Sequence, residues 1–138
     1  MSTFTEFDEE DVAGVSAVIE RFQIAGRAGD LDRFMDCFED DAIWMLDDRP
    51  QDAGKDEARE YFSFLNESTF DQKVTKDEIQ IFGNWAFARV TFDGHLIPKP
   101  GVDAESYRVF SRHFMVFKRQ SDNTWKLARD MWVMPSDG

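Results

Sequence analysis

The chain lacks several features that would assign it to a particular class of protein. It has one cysteine in 138 residues, so it cannot close an internal disulfide. No apolar run approaches the roughly 20 residues needed to cross a bilayer. The first residues contain neither a basic segment nor the apolar segment of a secretion signal. We therefore expect a cytoplasmic protein.

Basic residues and histidines are also scarce. Lys and Arg together number 16 against 28 Asp and Glu, which gives a net charge of -12. Such a charge repels phosphate groups, so neither nucleic acid nor an anionic membrane is an expected partner. The two histidines, His95 and His113, lack the spacing of metal ligands. We expect no metal and no other cofactor.

Large apolar side chains are abundant. Hydrophobic residues make up 42% of the sequence and include 14 Phe and 4 Trp, which is ample for a core. No internal repeat or interdomain linker interrupts the pattern. We expect residues 1–138 to form a single domain.

The first half of the chain has helical spacing. Apolar residues predict a first helix from about Asp8 to Ala28, ended by Gly29. Asp30 is expected to cap a second, short helix. On one side that helix carries Leu31, Phe34, Met35 and Phe38. A strand over 42–46 and a third helix over 55–65 follow.

The pattern after Asp71 is that of antiparallel strands. The pair Gly83-Asn84 predicts a two-residue hairpin, and residues 106–119 and 125–134 predict a last hairpin around QSDNT. Helices followed by strands indicate an α+β domain, with the helices on one face of a curved, mostly antiparallel sheet.

The last predicted strand contains a charge among apolar residues. Both its odd and its even positions are largely apolar, which predicts a strand covered on both sides. Asp130 in its middle therefore needs water, a partner or a cavity.

Three stretches resemble the nuclear transport factor 2-like superfamily, within its SnoaL-like branch. They are residues 28–45 (AGDLDRFMDCFEDDAIWM), the helix after Gly54, and residues 125–132 (WKLARDMW). The resemblance implies a cone-shaped, cystatin-like roll with three N-terminal helices, a pocket between sheet and helices, and a homodimer through the outer face of the sheet. Members include isomerases, cyclases, dehydratases, epoxide hydrolases and non-enzymatic binding proteins, so the fold alone implies no activity.

The ketosteroid isomerases of this superfamily use a carboxylate base, a Tyr and a protonated Asp. The resemblance places these positions on Leu46, Phe22 and His113. Asp47 is next to the base position, but the neighbouring residue of a strand points to the opposite face unless a bulge turns it. We do not expect steroid isomerisation by that mechanism.

The limonene epoxide hydrolases match in part. Arg89 fits their middle-strand Arg, and Asp130 fits the Asp of their last strand. Thr91 stands where they have a second Asp, and a Thr cannot replace a carboxylate in proton transfer. Epoxide opening by two carboxylates is therefore not expected.

A candidate site follows from counting alternate positions along three strands. If the counted faces are all concave, Arg89, His113 and Asp130 converge as hypothetical catalytic residues. Asp130 would orient His113 as an acid or base, and Arg89 would hold an anion or polarise a carbonyl. The expected pocket residues are Phe22, Trp44, Leu46, Phe62, Thr91, Ser111, Met115 and Trp132. Tyr61 and Tyr107 could each add a hydroxyl.

Other interpretations remain open. Arg89 and Asp130 could form a buried ion pair, with His113 bonded to a backbone carbonyl. Ser111, His113 and Asp130 are the residue types of a serine triad, but no nucleophile elbow surrounds Ser111, so serine hydrolysis is not favoured.

The expected function is binding of a small hydrophobic molecule that carries an oxygen function, with acid–base chemistry of the isomerase, cyclase or dehydratase kind. The alternatives are a non-catalytic binding or assembly module, and an accessory subunit resembling the β subunit of ring-hydroxylating dioxygenases.

Overall fold

The computed structural model describes residues 6–135, with side chains from Glu9 onward. The helices are α1 (Glu6–Ala28), α2 (Leu31–Asp36) and α3 (Lys55–Tyr61), and a 3-10 helix (Phe62–Asn66) follows α3. The strands are β1 (Phe38–Met45), β2 (Ser68–Phe82), β3 (Trp85–Pro98), β4 (Tyr107–Arg119) and β5 (Trp125–Val133). Within the described residues, no helix has the length and apolarity needed to cross a membrane.

The five strands form one sheet in the order β1-β5-β4-β3-β2. Only β1 and β5 pair in parallel, and the other neighbours are antiparallel. Helix α1 packs on the concave face of the sheet, against β2 and β5. The predicted α+β class is confirmed. The expected three helices are present, but only α1 is long, and β1 separates α3 from the other two.

The junction between α1 and α2 has the predicted stop and cap. Gly29 adopts a positive φ of 62°, and the Asp30 carboxylate accepts a hydrogen bond from the Arg33 N–H at 3.1 Å. Phe38, however, does not belong to the second helix. It begins β1 opposite Leu127, whose N–H donates to the Cys37 carbonyl at 2.8 Å. Pairing with β5 therefore starts the strand four residues before the predicted position.

The predicted third helix changes type along its length. Gly54 begins it, and the Glu57 carboxylate accepts the Gly54 N–H at 2.7 Å. After Tyr61 the chain tightens into the 3-10 helix, which buries Phe62 and Leu65 against the core.

Both predicted hairpins are confirmed. Phe82 pairs with Trp85 across Gly83, which has a positive φ of 61°. The last hairpin turns between Gln120 and Thr124, where Asn123 has a φ of 72°.

A bulge in β5 explains why both faces of that strand are apolar. The register shifts so that Leu127 pairs with Phe117 and Arg129 with Val116, which leaves Ala128 as an extra residue. Leu127 and Ala128 are therefore both buried. Beyond the bulge the outward positions are exposed, so this chain by itself does not cover both sides of β5 as predicted.

Candidate functional site

The centre of the candidate site is a hydrogen-bonded pair on the two adjacent strands β4 and β5. His113 Nδ1 lies 2.9 Å from Asp130 Oδ1. The Asp130 side chain is 1% exposed and that of His113 is 10% exposed. A carboxylate can only accept, so beside an ionised Asp130 a neutral imidazole carries its N–H on Nδ1 and its lone pair on Nε2. The Ser111 hydroxyl lies 3.1 Å from that Nε2.

Burial and the imidazole act in opposite directions on the Asp130 carboxyl. Burial raises the pKa of Asp130 above its ordinary value, because the charged form loses its hydration. The charge of His113 and its hydrogen bond lower that pKa again. The net direction is upward, so the charge and the hydrogen bond of His113 offset only part of the effect of burial on the pKa of Asp130.

Two aromatic rings fix the orientation of the imidazole. Trp132 stacks on it with the ring centroids 5.1 Å apart, and Phe92 meets it edge-on at 4.7 Å. Alternation along β4 and β5 puts Ser111, His113 and Trp132 on the concave face. The ring can therefore not turn away from Asp130 without losing both contacts.

The pair opens into a cavity of about 260 Å³ between the sheet, α1 and the 3-10 helix. Its walls are mainly aromatic: Phe22, Phe34, Phe62, Phe64, Phe70, Phe92 and Trp132. Its polar groups are Tyr61, Gln72, Tyr107, Ser111 and His113. Apolar walls with a few converging polar groups are typical of a small-molecule site.

Three buried polar atoms have no hydrogen-bond partner within residues 9–135. They are Gln72 Oε1, Asp130 Oδ2 and Trp44 Nε1. Gln72 is 4% exposed and lines the cavity, so a buried acceptor without a protein partner lies at the cavity wall. The sequence interpretation did not include Gln72. Its position two residues from Phe70 and two from Val74 on one strand is the signal that could have found it.

Arg89 and Thr91 do not belong to this site. The buried positions of β3 are Ala86, Ala88, Val90, Phe92, Gly94 and Leu96, so the odd-numbered residues face outward. Arg89 Nε donates to the Glu78 carboxylate at 2.7 Å, and the Thr91 hydroxyl donates to Asp77 at 2.7 Å. The predicted convergence of Arg89 with His113 and Asp130 is wrong. The alternative of a buried pair between Arg89 and Asp130 is wrong for the same reason.

The other predicted pocket residues divide into two groups. Phe22, Phe62, Ser111 and Trp132 line the cavity. Trp44, Leu46 and Met115 are buried in the core and do not line it. Trp44 packs on the Phe38 ring at 4.5 Å, and Phe38 in turn contacts the cavity residues Phe22 and Phe34.

Both tyrosines proposed as hydroxyl donors line the cavity. The Tyr61 hydroxyl donates to Asp47 at 2.9 Å. Burial raises the pKa of Tyr61, and the Asp47 carboxylate raises it further, so Tyr61 stays protonated.

A family model described as a SnoaL-like domain matches residues 4–126. The chain belongs to the SnoaL-like family. No match was found among curated proteins.

Solved structures with the same fold come from several bacteria. A ketosteroid isomerase-like protein from Erwinia carotovora is 25% identical, with a TM-score of 0.76 over 96% of this chain and 99% of that one. A conserved protein from Planctomyces limnophilus is 22% identical, with a TM-score of 0.79 over 92% and 99%. A protein from Novosphingobium aromaticivorans named for scytalone dehydratase is 10% identical, with a TM-score of 0.82 over 96% and 89%. At these identities the last two show the fold alone.

This SnoaL-like protein does not have the steroid isomerase arrangement in its cavity. Leu46 is buried away from the cavity lining, and Asp47 is exposed with its carboxylate bonded to Tyr61. Asp47 lies beyond Met45, where β1 ends, and is not turned inward. Within the described part of the chain, no group of three or more His, Cys, Asp or Glu is placed to hold a metal ion.

Proposed function

We propose that this SnoaL-like protein binds a small, mostly apolar molecule with an oxygen function and performs acid–base chemistry on it without a cofactor. The observation that carries the proposal is the buried His113–Asp130 pair at the wall of an aromatic cavity. In isomerase, cyclase and dehydratase reactions a side chain removes a proton at one atom and returns it at another. A dehydratase also breaks a carbon–oxygen bond, and the returned proton leaves with the hydroxyl as water, whereas a cyclase forms a new ring bond.

His113 is the group suited to exchange that proton. With Asp130 on Nδ1, the imidazole offers its Nε2 lone pair toward Ser111 and the cavity. Asp130 stabilises the imidazolium that forms when Nε2 takes a proton, because opposite charges attract strongly at a buried site. Asp130 acts through His113 and is a positioning residue.

The cavity restricts the ligand by shape and by polarity. Nine aromatic side chains, two of them tyrosines, favour a flat ring system, and about 260 Å³ admits only a small one. The free Gln72 Oε1 accepts a hydrogen bond, so a hydroxyl or N–H on the ligand fits there. The ligand class is therefore a small ring compound with a donor group and a second, reactive oxygen function.

Thermal shift against ring compounds with hydroxyl and carbonyl groups identifies ligands, and turnover of each hit is then measured. We expect His113→Ala to lower kcat about 10²- to 10⁴-fold, the usual effect of losing a general acid or base. Asp130→Asn should also lower kcat, with a smaller effect on KM. Arg89→Ala is the matched control and should change nothing, since Arg89 faces away from the cavity. Unchanged turnover in both site variants removes the proposed chemistry.

A non-catalytic binding role is the second candidate. It is favoured by the fact that both His113 nitrogens already have protein partners, Asp130 and Ser111. In that case ligands bind without turnover, and Val109→Trp, which fills the cavity from its wall, abolishes the thermal shift.

We also propose that the protein is a homodimer through the outer face of its sheet. Phe114 and Met131 are 42% and 40% exposed, and Val133 is exposed beside them. The same face carries Arg112 and Asp77, so it offers both signs of charge to a second copy. Light scattering tests this. Met131→Asp should give monomers, and a monomeric wild-type chain at micromolar concentration contradicts the proposal.

A further inference from the structure

Ser111, His113 and Asp130 form a continuous chain of hydrogen bonds. The Ser111 hydroxyl oxygen lies 3.1 Å from His113 Nε2, and His113 Nδ1 lies 2.9 Å from Asp130 Oδ1. We propose that Ser111 is a nucleophile that takes the acyl group of an ester or thioester of a small apolar acid. This activity goes beyond the acid–base chemistry proposed above, in which Ser111 forms no covalent bond.

The order of the groups is that of an activated serine. A buried carboxylate holds the imidazole with its N–H on Nδ1, so the lone pair of Nε2 faces the hydroxyl. The hydroxyl then donates to a base rather than to a carbonyl or to water. The contact between Ser111 and His113 needs only β4, because residues i and i+2 of a strand lie on the same face. A serine two residues before a histidine is therefore a spatial neighbour even where no nucleophile elbow is present.

The serine is only 5% exposed, and an electrophile would approach it from the cavity. Ser111 lines the aromatic cavity together with His113 and Trp132. Trp132 stacks on His113, so the imidazole stays beside the serine while a ligand enters. The aromatic walls favour an apolar acyl group of small size, because a charged one would lose its hydration.

The chemical step balances with an ester and water alone. The Ser111 oxygen bonds to the ester carbonyl carbon, its proton passes to His113 Nε2, and the carbon–oxygen bond to the leaving group breaks. The leaving alkoxide or aryloxide takes the proton from His113. Water then attacks the acyl-serine with His113 as base, which releases the acid and restores the serine.

The backbone around Ser111 limits the rate. β4 pairs with β3 on one side and, from Arg112 onward, with β5 on the other, so its backbone N–H groups donate hydrogen bonds to these neighbouring strands. A pair of backbone N–H donors for the developing oxyanion is therefore not expected at Ser111, and one such donor is commonly worth 10²- to 10³-fold in rate. We expect acylation by reactive esters to be faster than deacylation, so that the acyl-serine accumulates.

Phenylmethanesulfonyl fluoride is a suitable probe because it is apolar, aromatic and irreversible. Attack forms a bond between the Ser111 oxygen and sulfur, breaks the sulfur–fluorine bond and releases fluoride with the serine proton. We expect one sulfonyl adduct per chain by intact mass, assigned to Ser111 by peptide sequencing. Ser111→Ala should abolish it, and His113→Ala should slow it at least about 100-fold. Ser63→Ala, which removes an exposed serine outside the cavity, should leave the rate unchanged.

A second variant protects the test against loss of folding. In Ser111→Cys, iodoacetamide should alkylate the new thiol at position 111 well before Cys37, because His113 lies beside position 111, whereas burial raises the pKa of the Cys37 thiol to about 11. Circular dichroism and thermal melting show that each variant is folded. No adduct on the folded wild type, an adduct at another residue, or an unchanged rate in His113→Ala would each overturn the proposal.

The outcomes are separable from those of the proposed function. Ligand binding and turnover in the thermal-shift series do not require a covalent adduct. Conversely, an adduct at Ser111 that depends on His113 stands even where no isomerase or dehydratase substrate is found.

Discussion

Removing His113 should make the stability of the protein depend on pH through Asp130. Within the described residues, His113→Ala deletes the only hydrogen bond of Asp130 Oδ1, and Oδ2 already has no partner. The carboxyl is then buried with neither charge nor donor beside it, so its folded-state pKa rises beyond the already raised value.

The direction of the effect follows from proton binding. An unfolded Asp has a pKa of about 3.9, and the folded pKa of Asp130 lies above it. The folded state therefore binds the proton more tightly, and this contribution is complete below about pH 4 and is lost as pH rises through the folded pKa. The loss is about 1.4 kcal/mol per pH unit in that window. A total of about 3–5 kcal/mol is the usual cost of breaking a buried ion pair by removing one partner.

The assay is urea unfolding followed by tryptophan fluorescence at half-unit steps from pH 4.5 to 8. The reference is the double variant His113→Ala with Asp130→Asn, which has the same cavity but no carboxyl. The difference in unfolding free energy between the two variants should grow with pH by about 1.4 kcal/mol per unit until it levels off. A difference that stays flat would mean that the carboxylate finds water or another partner, and would refute the reasoning.

Three further predictions concern the scaffold. Gly94→Ala places a Cβ against the Asp71 carbonyl and Gln72 Cα, so we expect about 1–3 kcal/mol of destabilisation in urea unfolding. Gly26→Ala, whose Cβ meets nothing closer than 3.5 Å, is the control and should not destabilise; an equal effect of the two would contradict the steric argument. Burial raises the pKa of the Cys37 thiol to about 11, so the thiol should react with a disulfide reagent at pH 8 roughly 100-fold more slowly in the folded protein than after unfolding, and equal rates would contradict this. The contribution of Cys37 to the free energy of unfolding should be present below about pH 9 and lost as pH rises through about 11. Asp11→Ala removes the carboxylate that accepts two hydrogen bonds from Arg119 at 2.8 and 2.9 Å, and should lower stability by about 3 kcal/mol in thermal or urea melts, whereas a cost below 1 kcal/mol would show a solvated pair.

Local patterns were sufficient for most of the secondary structure. Gly29, Asp30 and the Gly83-Asn84 pair act through their own backbone preferences and caps, which need no distant partner. The start of β1 was missed because Phe38 is drawn into a strand by Leu127, a residue far along the chain. The residues around Phe38 do not predict its pairing with Leu127.

The sequence predicts only part of the candidate site, because local patterns give the faces of a strand but not the direction in which each face points. Ser111 and His113 share a face wherever β4 lies, because alternation is a property of the strand itself. Alternation does not say which face is concave. On β3 the outward face carries Phe87, whose ring stacks on Phe82 and Phe114, while the inward positions Ala86 and Ala88 are small, so side-chain size does not reveal which face is buried.

The sequence by itself determined the class of fold, the hairpins, the family resemblance and the fact that Asp130 needs a partner or a cavity. Only the tertiary structure decided that the partner is His113, that Ser111 occupies its other nitrogen, and that Arg89 lies on the far side of the sheet. The physical reason is that propensities and caps act over a few residues. The facing of β3, the bulge at Ala128 and the pairing of β4 with β5 are fixed only when distant strands and α1 pack around a common core.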